Sequence, residues 1–591
     1  MLFPAIDSSK SQDSISHRVV SGDRPLFWLL LPVLTAALLL RYSALGEQVL
    51  TPVEACNAWS AWSATQDTDS EPAYAKPRIT SPLLDNLLWL SFQCVEANDA
   101  LARAGPALFG ALLVSLPWFY RRWLGGWGTL SAMILLTFDS WQIAFSRCAD
   151  GVILSAFFAI VILAWIPHLE EAPGGIPSGR LSTRALWIVL AVILALFTAS
   201  SAEFWSFLPP VAGYFLLTGE RAGLRRPGFS NSPSPEHFRA FLWALAGSLL
   251  LVLSSFGARW ENVAALGSSL TEWLRSWGTA AARGPSLNWM LARILGEQPL
   301  TLAAGMAGLA MLWAGAGETD SARGRRKALA LSLWTLWGMI LTIQGGRGPA
   351  GLLVMDLSLK LAAALALGRM ISRIVKGCSW TVWLTRILPA VGLLGAAALW
   401  IQRYHRNIAR SDMEIRIPIV LAASVLLLIL LFQKVRFRLE LTTVLIVALL
   451  AAELNGSWQL ARRIHKEPVF FNAIGHPDLR LLESDVHQWA LHYREIKREI
   501  RVRIASDLPG GCLPAWYLRD FSGRRNSPIV EDSMRDAVIV TREGNSPFRA
   551  AESALPVPYR VEIRHSPALD SGHRAPIHEQ SEVVLLWLPR E

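Results

Sequence analysis

Long apolar runs separated by short charged connections fill most of the chain. A helix that crosses a bilayer needs about 20 apolar residues. Runs of that kind lie near 26–45, 105–120, 125–145, 151–167, 185–202, 204–218, 238–256, 298–315, 328–344, 350–368, 382–401, 417–432 and 439–455. They predict about thirteen spans, with one or two left open by Pro209-Pro210 and by the short run at 125–145. In the connection 46–104, a Pro-, Asp- and Thr-rich stretch is followed by Leu83 to Phe92, an apolar run too short to cross and suited to lie in the interface. A second long connection, 257–297, mixes Trp260, Trp273, Trp277 and Trp289 with Arg259, Arg275, Arg283 and Arg293, again an interfacial pattern. After Gly456 the pattern changes. A charge-laced helical stretch, Asp478 to Arg501, precedes β-type runs at Arg501 to Ala505, Ala537 to Thr541, Tyr559 to Ile563 and Val583 to Leu588. That order predicts a small C-terminal α/β domain over 457–591, behind a membrane domain at 26–456 and a short tail at 1–25.

Composition removes the soluble alternative. Of 591 residues, 52% are hydrophobic and 17% charged, with a mean hydropathy of +0.34. A soluble globule carries about 25% charged residues. Charge at mid-membrane costs about 2.5–3.5 kcal/mol per residue, which is why it gathers in the connections here. The 26 tryptophans fit a chain with much headgroup interface. The net charge of +10 comes from arginines beside apolar runs and not from a basic stripe, so lipid phosphate explains it and nucleic acid does not. Cys56, Cys94, Cys148, Cys378 and Cys512 are scattered and odd in number, which predicts neither a disulfide framework nor a zinc site. The Ser-rich start lacks an early apolar core with a cleavage site, so the first run reads as a retained helix. No P-loop is present, and nothing in the chain indicates an ATP-driven machine.

Positive charge sets the orientation. Arg18 and Arg24, Arg121 and Arg122, Arg180 and Arg184, Arg221 to Arg226, Arg323 to Lys327, Arg369 to Lys376 and Lys434 to Arg438 all fall on one side if the N-terminus is cytoplasmic. Arg403, Arg406, Arg410 and Arg416 then lie outside, against the rule. The connections 46–104 and 257–297 and the C-terminal domain are extracytoplasmic on this reading, and the protein is a multi-pass protein of the plasma membrane.

The candidate chemistry lies at the external edge. Glu54 follows Thr51-Pro52, an N-cap with Pro at the first helical position, so it stands in a first turn that favours a carboxylate. A plain helix start explains it as well as a reacting group does. Asp150, between two spans, is either a second reacting carboxylate or an N-cap. Two carboxylates with Arg147 could deprotonate an acceptor while steering a phosphate, and Glu203 could extend the same site. Arg347, between glycines, suits phosphate through its guanidinium fork, or snorkels at the interface. Arg403 and Arg406 suit anionic lipid or a donor phosphate. Asp356 and Lys360, one helical turn apart inside a span, read as a self-neutralising ion pair. No residues are assigned to a metal, and the need for a divalent cation stays open.

Residues 41–165 resemble the GT-C membrane glycosyltransferases of the protein-mannosyltransferase superfamily. The resemblance is carried by Thr51-Pro52-x-Glu54-Ala55, Ser81-Pro82-Leu83-Leu84, Ala102-Arg103-Ala104-Gly105-Pro106 and Phe145-Ser146-Arg147-x-x-Asp150-Gly151. Ala515-Trp516-Tyr517-Leu518-Arg519-Asp520 is similar to a flippase-associated subgroup of archaeal-type N-glycosylation. The resemblance implies a GT-C-like helical membrane fold and a polyprenyl-phosphate sugar donor used on the external face. The acceptor would be a glycan, lipid or protein of the envelope. By that resemblance Glu54 is the general base on the acceptor hydroxyl and Asp150 helps form the site. Two other readings stay beside it: a lipid-linked glycan transporter or flippase accessory, and a catalytically inert homologue. Ionisable residues sparse inside the spans and dense at the external edge favour a surface reaction over transport.

Overall fold

The computed structural model describes residues 24–66, 81–171, 183–219, 235–279, 298–314, 321–343, 349–377, 446–451, 453–454, 473–494, 501–505, 512–521, 525–527, 537–542, 554–566 and 578–589. Up to residue 454 these are helical or turn. The first long connection follows α1 (Arg24–Tyr42) and contains α2 (Pro52–Ser63) and α3 (Pro82–Cys94). Next come α4 (Asp99–Ser115), which runs into a 3-10 turn at Leu116–Tyr120, then α5 (Arg121–Thr137), α6 (Ser140–Ser146) and α7 (Val152–Glu171). They are followed by α8 (Thr183–Ser200), α9 (Phe204–Gly219), α10 (Pro235–Leu253) and α11 (Val263–Thr279). Then come α12 (Pro299–Trp313), α13 (Ser321–Ile343) and α14 (Pro349–Gly377).

Among the described residues, the stretches Asp99–Tyr120, Glu236–Leu253 and Ala350–Val375 can cross a membrane by length and composition, and six shorter apolar helices accompany them. The expected spans near 382–401 and 417–432 lie outside the described residues. The run at 125–145 is not one helix. It breaks after Thr137, and Asp139 caps α6 by accepting the Trp141 amide at 2.8 Å. An Asp side chain that bonds the backbone two residues on offers the chain an alternative to continuing a helix, which apolar periodicity does not register.

The hub of the bundle is α14, packed against α5, α12 and α13 and enclosed by them throughout its apolar stretch. Close approach depends on small residues. A Cβ at Gly308 of α12 would overlap the Ala362 carbonyl oxygen, so only glycine lets these two backbones meet. Because the apolar stretch of α14 is buried inside the bundle, it can carry ions. Lys360 Nζ bonds Asp356 Oδ1 and Asp139 Oδ2, each at 2.6 Å, and Gln298 Nε2 donates to Asp139 Oδ1 at 2.7 Å. The pair read from the sequence is thus part of a triad. The extra carboxylate comes from the cap of α6, which locks that short helix to the hub.

The C-terminal region contains α15 (Asp478–Arg494), α16 (Cys512–Tyr517) and a six-stranded sheet of order β1-β5-β6-β4-β2-β3. Its strands are β1 (Ala473–Gly475), β2 (Arg501–Ala505), β3 (Arg525–Ser527), β4 (Ala537–Arg542), β5 (Ala554–Ser566) and β6 (His578–Pro589). Strand β2 is parallel to β3 and β4, and the other pairings are antiparallel. The first residues of β5 include Pro556 and Pro558. A strand tolerates them because β1 pairs only with Glu562 to Arg564, leaving that part of β5 an edge.

Candidate active site at the start of α2 and α7

Thr51 begins α2 through a capping box. Its hydroxyl accepts the Glu54 amide at 3.3 Å, and Glu54 Oε2 accepts the Thr51 amide at 2.8 Å. The Glu54 carboxylate is completely buried and does more than cap. Arg103 of α4 chelates it, Nε to Oε1 and Nη2 to Oε2, both at 2.8 Å, and the Ala149 amide donates to Oε1 at 2.8 Å. Two oxygens therefore accept four hydrogen bonds, which is a carboxylate's full complement. The remaining donors of Arg103 go to the carbonyls of Leu45 (3.1 Å), Gln48 (2.8 Å) and Val49 (3.1 Å). All five guanidinium N–H groups are thus used, which is how a buried cation is made tolerable.

One turn along α2, Asn57 Nδ2 donates to the Ala149 carbonyl at 2.8 Å. Glu54 and Asn57 thus hold both ends of the Ala149 residue, immediately before Asp150. On the other side Gly151 has φ +72°, and a Cβ there would overlap Ser81 and the Ser200 carbonyl oxygen. Ser81 itself hydrogen-bonds that carbonyl. Ser155 of α7 continues the polar seam to the hydroxyls of Ser200 (2.6 Å) and Ser201 (2.8 Å). Asp150 is fixed from both sides yet remains only half-buried.

The Asp150 Oδ1 atom accepts the Val152 amide at 3.1 Å, as an N-cap would, and its carboxylate has no other side-chain partner among the described residues. Burial above all, with the charges of Glu54 and Glu203 behind it, pushes its carboxyl up to about 8. Glu203, at the start of α9, accepts from Ser206 at 2.7 Å, and Trp273 of α11 reaches the same hydroxyl at 3.0 Å. The neighbouring Cys148 thiol is buried and donates to the Ala144 carbonyl at 3.1 Å. Burial and the charges of Glu54 and Asp150 raise it well above the ordinary thiol range, so it is no nucleophile.

Glu54 and Asp150, read from the sequence as one site, do come together, with Glu203 beside them. Arg147 is close but turned away: its guanidinium bonds the carbonyls of Leu40 (3.3 Å) and Ala44 (3.4 Å) at the end of α1. Arg347, Arg403 and Arg406 lie outside the described residues. Among the described residues no group of three or more His, Cys, Asp or Glu side chains is arranged to hold a metal ion.

Several partners were not read from the sequence. Arg103 stood inside one of the family-like motifs, and a lone cation near the start of an apolar helix was its signal. Asn57 gave none. The C-terminal region meets the site directly through a disulfide between Cys56 of α2 and Cys512 of α16, separated by 456 positions. This corrects the expectation from cysteine spacing, since pairing across the whole chain leaves no local pattern. Around it, Asp99 accepts from Trp516 Nε1 (2.8 Å), Tyr517 Oη (2.9 Å) and Arg480 Nη2 (3.1 Å). Trp516 and Tyr517 are buried core residues of this joint.

No known family's sequence profile matches the chain, and no curated protein matches it. Solved structures do. ArnT from Cupriavidus metallidurans bound to undecaprenyl phosphate is similar at TM-score 0.55 and 14% identity, over 95% of this chain and 98% of that one. The apo oligosaccharyltransferase of Archaeoglobus fulgidus is similar at TM-score 0.51 and 11% identity, over 88% of this chain and 69% of that one. At such identities the likeness is one of fold, and the fold is that of the GT-C membrane glycosyltransferases.

Proposed function

We propose that this protein moves a sugar from a polyprenyl-phosphate-linked donor to an acceptor of the cell envelope, on the external face of the plasma membrane. The observation that carries the reading is Asp150: a half-buried carboxylate of raised basicity, immobilised at a helix mouth by Glu54, Asn57 and Gly151. The fold supports it, and so does the undecaprenyl phosphate bound to ArnT. Support for the external location comes from the Cys56–Cys512 disulfide, which belongs to an oxidising compartment and ties the first long connection to the C-terminal region. On this reading the chain is divided into a tail at 1–25, about thirteen spans over 26–456 and an extracytoplasmic α/β domain at 457–591, with the N-terminus cytoplasmic.

In the reaction the acceptor oxygen forms a bond to the anomeric carbon as its proton passes to Asp150. The bond from that carbon to the phosphate oxygen breaks, and its electron pair leaves on the polyprenyl phosphate. A base near the operating pH typically contributes about 10²–10⁴-fold. The resemblance gives Glu54 the base's role, but four bonds occupy its lone pairs. The role passes to Asp150, and Glu54 becomes the group that holds it. Arg347, Arg403 and Arg406 are the proposed ligands of the donor phosphate.

The test is transfer by purified protein in lipid vesicles, given radiolabelled polyprenyl-phosphate sugars and candidate acceptors, with Asp150→Asn alongside. Wild-type transfer reduced at least ~10²-fold in the variant is expected. Equal transfer by Asp150→Asn overturns the mechanism. Donor binding without transfer by the wild type would favour the accessory reading.

A further inference from the structure

The C-terminal region grips the chain just upstream of Glu54. From α4, Arg103 holds the carbonyls of Leu45, Gln48 and Val49. From the opposite side Arg480 of α15 holds those of Gly46 (2.6 Å) and Glu47 (2.8 Å). Tyr517 of α16 completes the set, accepting the Leu50 amide at 2.9 Å while its hydroxyl donates to Asp99 at 2.9 Å. Each residue from Leu45 to Leu50 is held by one side or the other. Gly475 of β1 lies so close that a Cβ would overlap the Leu50 carbonyl oxygen. The next residue is Thr51, which caps α2, and one turn into α2 the Cys56–Cys512 bond adds a covalent tie. From α2, Glu54 and Asn57 reach across to Ala149.

We propose that Arg480 and Tyr517 are positioning residues: by clamping the strap 45–50 against Arg103 they hold α2, and through Glu54 and Asn57 they hold the turn that carries Asp150. The catalytic consequence rests on the function proposed above, whereas the mechanical coupling does not. Burial and the Asp99 charge raise the Tyr517 hydroxyl above its ordinary range, so it stays a donor throughout the usable pH range.

The thiol of Cys148 reports on the coupling, because it is fully buried next to Ala149. In a Cys94→Ser/Cys378→Ser background it is the only unpaired thiol of the five cysteines. Its labelling by a membrane-impermeant maleimide would be timed under non-reducing conditions, with Tyr517→Phe and Arg480→Gln as the perturbations. Loss of these hydrogen bonds is expected to speed labelling by ~10-fold or more. Transfer should lose kcat with little change in donor KM, and its pH inflection should move from about 8 toward the ordinary carboxyl range. Val540→Ala, in the core of the sheet away from the strap, serves as the control for general loosening. Unchanged labelling in both variants, or equal labelling in Val540→Ala, overturns the proposal. Faster labelling with undiminished kcat overturns the positioning role. Faster labelling in a protein that transfers no sugar upholds the coupling and refutes the proposed function.

Discussion

Replacing Glu54 by Gln keeps the shape of the side chain and removes its charge. One oxygen becomes an NH2 group facing donors. In one orientation it meets Arg103 Nη2 and the Thr51 amide, in the other Arg103 Nε and the Ala149 amide. Two of four hydrogen bonds are lost, donor faces donor, and Arg103 is left charged in a fully enclosed site. Breaking a buried ion pair from one side costs about 3–5 kcal/mol. Arg103→Gln should cost more, since it also strands the carbonyls of Leu45, Gln48 and Val49. Unfolding with SDS in mixed micelles, for the wild type, both single variants and the double variant, gives the coupling between the two residues. A coupling of about 2 kcal/mol or more is expected. A value below about 1 kcal/mol, the range of exposed pairs, would refute the inference that this carboxylate is chelated and closed to solvent.

Three other expectations follow from the same geometry. Asp150 keeps its proton when folded up to about pH 8 and loses it near pH 4 when unfolded, so stability falls as pH rises between those values; Asp150→Asn should flatten that slope in unfolding titrations, while wild-type transfer rises through about pH 8. Cys56→Ser or Cys512→Ser should lower stability by about 2–5 kcal/mol, and protease-nicked wild-type fragments should stay together on a non-reducing gel and separate on a reducing one. Lys360→Met leaves Asp139 and Asp356 facing each other without their cation, with an expected loss of about 3–5 kcal/mol; an unfolding midpoint equal to the wild type's would refute the triad as an anchor for α6.

Apolar periodicity located most of the described helices well, because packing and lipid select the same residues over long stretches. Val152–Glu171, Thr183–Ser200 and Phe204–Gly219 begin and end within a few residues of the runs that predict them. Breaks made by one polar side chain, as at Asp139, were invisible to it. In the site, Thr51-Pro52-Val53-Glu54 announced a helix start, and the structure contains one. Nothing in the sequence said that this same carboxylate would be chelated, since Arg103 lies 49 positions away and the Ala149 amide 95. Trp516 and Tyr517 stood in a family-like motif, whereas the groups they bond, Asp99 and Leu50, belong to the far end of the chain. Long-range pairing of this kind has no period, and periodicity is what a single sequence displays.

The bond between Cys56 and Cys512 also orders events during synthesis. With 456 positions between the two sulfurs, translation at 5–20 residues per second separates their appearance by roughly 20–90 s. For that interval α2 waits without its clamp, and the first thiol is open to mispairing. A ribosome that stops early releases a chain whose helices can insert but whose site is never fastened. Synthesis is thereby proofread by the region around Cys512, and a copy that stops before it carries Glu54 and Asp150 without the frame that aligns them.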